Sequence, residues 1–562
     1  MDSTSVKSTA TSACFGRASF SRFSLATILA LLACGHSLLA QTYTPLHTYS
    51  INKGNYSGVL TEGVISQGRD GYLYSTLNNA GTVSTGDSFK ISTAGDYSVL
   101  NSFCLVAGCT DGSYPDGGLT LGTDGNYYGT TSGGGSKNVG TIFKVTKSGA
   151  LTTLFSFTGG TEGGNPFFPP VEAQNGNYYG AAPAVYAGDY GALYKISSSG
   201  TVTTFVDFNY TNGNSPNNPT QGTDGSFYGS TRGGGSAGLG VVYKATTSGT
   251  VTVLHNFLGG TADGNFPVGS LVQGNDGNFY GVTFKGGASN AGIVFKITSS
   301  GKFTLLHSFV GGANDGAFPW TGLTLGTDGN FYGTTNQGGK GAGMIFKITP
   351  AGQESILYTF CSSTCLDGEY PATPLVQHTN GKFYGNTDGN SLGGSVFYSL
   401  DMGLGPFARL VTWKAAIAKK IGILGQGFTG TSSVSFNGTA ASFSVVSDTY
   451  LTATVPAAAT TGFVTVTTPT ATLTSDRKFM VLPSITSFSP SSGPVGTSVT
   501  ITGNNFTGAT KVTFGGVKAT SFTVVSDTKI TATVPPGAVT GQIKVTTAGG
   551  TATSSSSFTV TP

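Results

Sequence analysis

The chain has 562 residues, a formal net charge of +3 and only 9% charged residues, against the ~25% usual for a globular domain. So few charges exclude a protein that binds nucleic acid by neutralising phosphates, and they exclude a charge-laced coiled coil. The 88 glycines follow no triplet period, which excludes collagen, and 11% aromatic residues argue against disorder. What remains is a turn-rich, β-rich globular protein.

Residues 1–40 read as a secretory leader. Lys7, Arg17 and Arg22 form a basic front, and Phe23 to Ala33 is a mostly apolar run, too short to span a bilayer as a helix. Leu38-Leu39-Ala40 then offers a small residue at a cleavage point before Gln41. The alternative is Leu31-Leu32-Ala33-Cys34-Gly35, which resembles a bacterial lipobox and would put a lipid on Cys34. The repeats begin just after residue 40, which favours cleavage there. No later stretch is long and apolar enough to form a transmembrane span, so the expected location is secreted or cell-surface.

From about Gln41 to Leu404 the chain repeats itself. The clearest copy, Leu323 to Thr335, reads LTLGTDGNFYGTT. Its Tyr332 has equivalents at Tyr74, Tyr128, Tyr179, Tyr228, Tyr280 and Tyr384, spaced by 49 to 54 residues. A second mark, the aromatic of GTIFKV, recurs as Phe89, Phe143, Tyr194, Tyr243, Phe295, Phe346 and Phe397. A third, of the type LLHSF, ends in Tyr49, Phe103, Phe157, Phe208, Phe257, Phe309 and Phe360. Two strand patterns flank an Asp-Gly turn, a strong hairpin signal, and the other two marks supply a third and a fourth strand. Four antiparallel strands per unit, seven times over, predict a seven-bladed β-propeller across residues 41–404. The chain starts with an LLHSF-type strand, Tyr43 to Tyr49, and the array ends on a GTIFK-type strand, Ser395 to Leu400. The N-terminal strand can therefore complete the seventh blade and remove an open edge. Phe407 to Thr412 is the alternative closing strand.

The repeat resembles the GloVer tandem repeat over residues 42–412, on the marks LTLGTDGNFYGTT, GMIFKIT and LLHSF held in register. That family comprises exported bacterial proteins with varied C-terminal anchors. The resemblance implies export and a surface role, and it implies no reaction.

Four cysteines of the repeated region form two local pairs, Cys104 with Cys109 and Cys361 with Cys365, each after an aromatic strand end and before an Asp-Gly. Disulfides in an oxidising compartment are the expected state. No histidine recurs beside these pairs, so no metal is expected there.

Beyond Gly405 the composition shifts to Val, Thr and Ser. Residues 405–482 and 483–562 align with each other: Ile423 to Phe428 matches Ile501 to Phe506, and Val445 to Thr449 matches Val524 to Thr528. Short alternating strands with turn signals read as two immunoglobulin-like β-sandwiches. The second copy, with PSITSFSPSSGPVGTSVTITGNNF, closely resembles the IPT/TIG family. The first departs at its start, carrying Trp413-Lys414-Ala415-Ala416 in place of the Ser-Pro-Ser-Ser-Gly-Pro turn. The resemblance implies extracellular stalk, adhesion or binding modules and carries no catalytic residue.

Chemistry is sparse. His47, His255 and His307 share one repeat position whose other occupants are Asn101, Phe155, Val206 and Tyr358, so the fold does not require an imidazole there. His378 stands alone beside the Asn380-Gly381 turn as a weak general-base candidate. Asp70, Asp124, Asp224, Asp276 and Asp328 precede glycine in the hairpin turn, with Asn175 and Asn380 in the other two copies. That exchange favours a backbone role, because both residues tolerate positive φ. No nucleophile elbow, HExxH, phosphate loop or EF-hand loop occurs, so no catalytic residue, metal or cofactor is expected.

The better candidates lie in the connections between units. Asp111-Gly112-Ser113-Tyr114-Pro115 recurs from Asp263 to Pro267, Asp315 to Pro319 and Asp367 to Pro371. These connections should share a face with the long glycine-rich loops, leaving only tight turns on the opposite face. Loops on a rigid scaffold are where binding concentrates. The candidate ligand-binding residues are Tyr114, Phe266, Phe318, Trp320 and Tyr370, with Asp111, Asp263, Asp315 and Asp367. Aromatics beside carboxylates suit a neutral extracellular glycan or peptide. The alternative reading packs these aromatics under their own loops and leaves the aspartates as turn formers. The functional expectation is a non-catalytic binding or adhesion protein. An extracellular lyase or other carbohydrate-active enzyme is the rival.

Overall fold

A strand that must be buried on both faces needs apolar side chains throughout, and the repeat grades its strands accordingly. Phe331–Thr335 is buried at every position. Met344–Ile348 is buried except at Lys347. Glu354–Thr359 is only partly covered. The computed structural model describes residues 41–49, 63–79, 84–183, 188–197, 200–361, 364–391 and 394–562. The expected leader, with its cleavage point and Cys34, lies outside them.

Within a unit the pairing is antiparallel: Phe331 faces Ile348, Tyr332 faces Lys347 and Gly333 faces Phe346. The glycine is required by its partner. A Cβ on Gly333 would lie 2.5 Å from the Phe346 ring, and one on Gly180 would lie 2.3 Å from the Tyr194 hydroxyl. Among the described residues seven sheets built this way follow in chain order, five of four strands and two of five. The last is completed from the N-terminus. Thr42–Tyr49 pairs antiparallel with Ser395–Asp401, as the order of the marks predicts. It even carries an irregularity between Pro45 and His47, where the pairing of third and fourth strands shifts register in the other six sheets.

Neighbouring sheets meet through the Phe-Tyr dipeptide. The tyrosine of one unit lies against the preceding aromatic of the next: Tyr74 on Tyr127 at 4.0 Å, Tyr228 on Phe279 at 3.9 Å, Tyr332 on Phe383 at 4.1 Å. Its hydroxyl returns to the hairpin turn, donating to Asp224 at 2.8 Å and to Asp328 at 2.8 Å. In the two asparagine copies the bond reverses and the amide donates to Tyr179 and Tyr384. The Asp/Asn exchange thus preserves a side-chain bond as well as a turn. The contacts also run from the seventh sheet back to the first. Gln67 Nε2 donates to Thr379 Oγ1 at 2.7 Å, and the buried His378 bonds through Nε2 to the Gly71 carbonyl at 3.1 Å.

Each C-terminal segment forms two larger sheets around an apolar core, the first with an added two-stranded parallel pair, built on Ile421, Leu451, Val464 and Phe479 in the first and Ile501, Phe514, Ile530 and Ile543 in the second. The first does not hang free of the repeats. Thr449 Oγ1 donates to the Arg69 carbonyl at 2.8 Å, Gln426 Nε2 donates to Thr379 Oγ1, and the Arg409 guanidinium donates to the Gln377 carbonyl at 2.6 Å. Arg69 also lies over the Tyr450 ring at 4.7 Å. Arg69 and Thr379 are hairpin-turn residues and Gln377 ends the strand before its turn, so the face expected to carry only tight turns is where the first sandwich docks. Tight turns leave carbonyls such as that of Arg69 as ready acceptors. No helix of the described residues is long and apolar enough to cross a membrane. The cysteines are bonded as expected, Cys104 to Cys109 and Cys361 to Cys365.

Candidate functional site

The Asp-Gly-x-aromatic-Pro connections are built from the glycine outward. A Cβ on Gly112, Gly264, Gly316 or Gly368 would come within 2.4–2.6 Å of a threonine on the second strand of its unit, Thr131, Thr283, Thr335 or Thr387. Each threonine is itself fixed, its hydroxyl donating to a carbonyl two residues on, as Thr335 does to Gln337 at 2.8 Å. The chain therefore crosses close to the strand and then turns sharply. At the aromatic position the backbone is left-handed, with φ of 58° at Tyr114, 58° at Phe266, 55° at Phe318 and 55° at Tyr370. The connections at 161–166 and 212–216, which lack the Asp-Gly-x-aromatic pattern, do the same with Asn165 and Ser215. Each of these amides donates to the preceding unit's long loop: Tyr114 to Thr85, Phe266 to Leu239, Phe318 to Ala291, Tyr370 to Ala342. Connections and long loops are thus bonded together on one face, as expected.

The predicted aspartates turn inward. Asp263 accepts from the Leu258 and Gly264 amides and pairs with His255 Nε2 at 3.1 Å. Burial opposes its charge, but the bonds from His255 and the two amides outweigh it and hold the carboxyl below the ordinary range. Asp315 repeats the arrangement with His307 at 3.2 Å and with the Val310 and Gly316 amides. Asp367 accepts from the Tyr358 hydroxyl at 2.6 Å. Asp111 Oδ1 is buried without a hydrogen-bond partner. The His–Asp pairs were not legible from sequence, because the histidine position also takes Phe and Val. The available signal was the constant spacing of eight residues from His255 to Asp263 and from His307 to Asp315.

The predicted aromatics divide into two sets. Phe266, Phe318 and Trp320 are half-buried and are joined through Phe284, a ring the sequence reading missed. Phe284 is 6.2 Å from Phe266, 5.2 Å from Phe318 and 5.0 Å, edge-on, from Trp320. Arg232 extends the run, lying 5.9 Å over Phe266 and 5.6 Å over Phe167. Beside it is a cavity of about 410 Å³ bounded by Phe167, Pro216, Arg232 and Phe266. Tyr114 and Tyr370 are the more exposed, at 42% and 39%, and neither makes a ring contact with this run among the described residues. A second cavity, of about 740 Å³, lies among the first strands, where Gln221, Gln273 and Gln377 line it. Arg409, Trp413 and Asp476 of the first sandwich also border it.

Those glutamines are a further feature the sequence reading missed. Each accepts from a backbone amide of the preceding unit: Gln221 from Gln174, Gln273 from Thr223, Gln377 from Thr327, and Gln67 from Thr379 across the seam. Glu172 does the same to Thr123 at 2.7 Å. The first strand of one unit is thereby latched to the hairpin of the one before.

His378 is placed at the seam between the seventh and first sheets. Its Nδ1 accepts from the Asn380 amide at 3.2 Å and burial pushes its pKa down to about 4.

The comparisons agree with the repeat and the sandwiches. The Gloeobacter/Verrucomicrobia repeat matches residues 37–222 and 169–398. The chain belongs to that repeat family. The IPT/TIG domain matches residues 412–479 and 483–561, so both C-terminal segments are of this type, including the one with the divergent start. No curated protein matches the chain. Similar solved structures include SGBP-B from a complex xyloglucan utilization locus in Bacteroides uniformis. It is 22% identical over 27% of this chain and 50% of its own, with a TM-score of 0.15. The chain thus spans about half of that protein. The extracellular domain of the putative hybrid two-component system BT3049 from B. thetaiotaomicron is 13% identical over 92% of this chain and 57% of its own, with a TM-score of 0.41. A fungal alcohol oxidase of the AA5 family, in complex with copper, is 13% identical over 93% of this chain and 99% of its own, with a TM-score of 0.38.

Proposed function

We propose that the chain is an exported, non-catalytic binding protein in which a seven-bladed β-propeller presents its long-loop face to a neutral ligand, a glycan or an extracellular peptide. The carrying observation is the continuous run of half-buried rings, Phe266, Phe284, Phe318 and Trp320, on that face. Sugar rings and apolar peptide side chains stack on such surfaces, and a ring already packed on its neighbours loses little freedom on binding. The opposite face is taken up by the first IPT/TIG module through Arg69, Thr379 and Gln377, which leaves the loop face as the open one. The carboxylates of Asp263 and Asp315 are each held by two backbone amides.

The test is a binding screen of residues 41–562 against neutral polysaccharides and peptides, with affinities measured by titration calorimetry. Phe284→Ala and Trp320→Ala should each weaken binding about tenfold or more, which is about 1.4 kcal/mol. If binding is unchanged in both variants while the fold is intact, the loop face is not the binding surface.

A further inference from the structure

His307 stands on the outer strand of the fifth sheet, Phe303–Ser308, and its surroundings depart from the repeat at one place. In two other units the histidine at this position lies flat against an aromatic ring at the start of the next sheet's outer strand. His255 lies on Phe303 at 4.1 Å, and His47 on Tyr97 at 5.1 Å. For His307 the residue at that place is Glu354, the first of Glu354–Thr359. A stacking ring has been exchanged for a carboxylate. His307 offers a ring nitrogen, and Asp315 and Glu354 each offer a carboxylate oxygen. These three atoms lie within 4.8 Å of one another.

Two features make this more than a surface cluster. Asp315 is 7% exposed, and its orientation is fixed by the Val310 and Gly316 amides at 2.7 Å each. Outer hydrogen bonds of this kind pre-set a ligand carboxylate. Glu354 Oε1 is shut off from solvent and has no hydrogen-bond partner. A buried, unpaired carboxylate oxygen facing a second carboxylate is costly, because it loses hydration and gains no donor. Burial pushes the Glu354 carboxyl above its ordinary range, with His307 pulling it back and Asp315 adding to the rise.

We infer that His307, Asp315 and Glu354 form a site for one divalent transition-metal ion of the zinc or manganese class, which pins the outer strand of the fifth sheet to that of the sixth. An imidazole with two carboxylates suits such ions, whereas calcium takes six to eight oxygens. Ligands about 2.1 Å from one tetrahedral ion lie about 3.4 Å apart, so no pair of the three need close by more than about 1.4 Å. The ion would neutralise both carboxylates and give Glu354 Oε1 its missing partner. Asp315 also opens the connection that carries Phe318 and Trp320, so the site lies at the root of the ring-bearing loop. Sequence alone hid it, because its ligands are 8 and 39 residues apart and come from two units.

The experiment uses residues 41–562, stripped with a chelator and titrated calorimetrically with Zn²⁺ and Mn²⁺ separately, with melting followed in parallel. One ion per chain and a raised Tm are expected. Glu354→Phe restores the ring that the repeat carries at Phe303. It should fold with the Tm of the metal-free parent and bind the ion at least about tenfold more weakly, since even an outer-shell partner is worth about 10–100-fold. Glu354→Gln should weaken binding in the same direction while keeping the side chain's shape. Absence of binding by either ion to the parent overturns the inference, and so does binding to Glu354→Phe with the parent's affinity.

Discussion

Deleting residues 41–50 removes the strand that completes the seventh sheet. The loss reaches three sheets at once. Thr42–Tyr49 forms the outer ladder of Ser395–Asp401. Tyr43 stacks on Tyr358 at 3.8 Å and meets Phe360 edge-on at 5.7 Å, which ties it to the sixth sheet. Tyr49, 7% exposed, packs against Phe89 at 5.9 Å and Tyr97 at 5.3 Å in the first. Truncating a buried aromatic costs about 3–5 kcal/mol, so the two tyrosines alone are worth about 6–10 kcal/mol. That compares with about 5–15 kcal/mol of total stability for a typical domain. At about 2 °C per kcal/mol for a large domain, the Tm of the repeated region should fall by about 12–20 °C by scanning calorimetry. Tyr43→Ala and Tyr49→Ala should each reproduce about half of the fall. Removing 405–562 should lower it less. That deletion uncovers Gln377, Thr379 and the turn carbonyls of Arg69 but leaves every ladder of the seven sheets intact. A deletion of 41–50 that melts within about 3 °C of the parent, or a larger fall on removing 405–562, would refute the reasoning.

Three further outcomes are expected. His378 is 1% exposed and its pKa is about 4 when folded, against about 6.5 unfolded. The unfolded chain therefore binds the proton first, and stability is full above about pH 6.5 and falls by about 3 kcal/mol as pH drops to 4. His378→Gln should flatten the slope of Tm across that window, and an unchanged slope would count against it. Gly316→Ala, whose Cβ would sit 2.5 Å from Thr335, should cost about 1–3 kcal/mol in urea unfolding by overpacking, while Gly405→Ala, with nothing within 4 Å, should be silent. Peptide mapping of the unreduced protein should give 104–109 and 361–365 links, and a 104–365 link or four free thiols would contradict the structure.

What sequence reveals in a repeat is whatever recurs at fixed register. The Asp-Gly hairpin, the Tyr332 position and the GTIFK strand are legible because each copy restates them. The order of the marks is legible too, and it places the closing strand at the N-terminus. What a residue touches is not legible when the partner belongs to another unit. Tyr332 was read as a marker, yet its ring stacks on Phe383 and its hydroxyl holds Asp328. Gln273 sits in an unremarked position and turns out to hold the Thr223 amide of the unit before. The docking of the first IPT/TIG module was invisible for the same reason. Thr449 and Arg69 are 380 residues apart, and nothing in either local pattern names the other. Phe284 was missed because no other unit repeats it.

The backbone of the Asp-Gly-x-aromatic-Pro connection bears on where selection has acted. A non-glycine residue with φ near +55° is strained, by roughly 1 kcal/mol or more for a bulky side chain. Glycine at that place would remove the strain. This chain uses 88 glycines and places them at positive φ throughout its turns. Yet at six equivalent positions it keeps Tyr114, Asn165, Ser215, Phe266, Phe318 and Tyr370. The amide bond to the preceding loop would survive a glycine, since only the backbone makes it. The strain is therefore retained for the side chains themselves. Four of the six are aromatic, and two of those, Phe266 and Phe318, converge on Phe284. Asp263 and Asp315, three residues before Phe266 and Phe318, do the opposite work, holding the turn through backbone amides. It follows that substitutions at the two positions separate fold from function. Asp263→Asn should act on stability, whereas Phe266→Gly should stabilise or spare the fold and weaken ligand binding. A Phe266→Gly variant that binds as the parent does would show that the strained conformation is only an accident of packing.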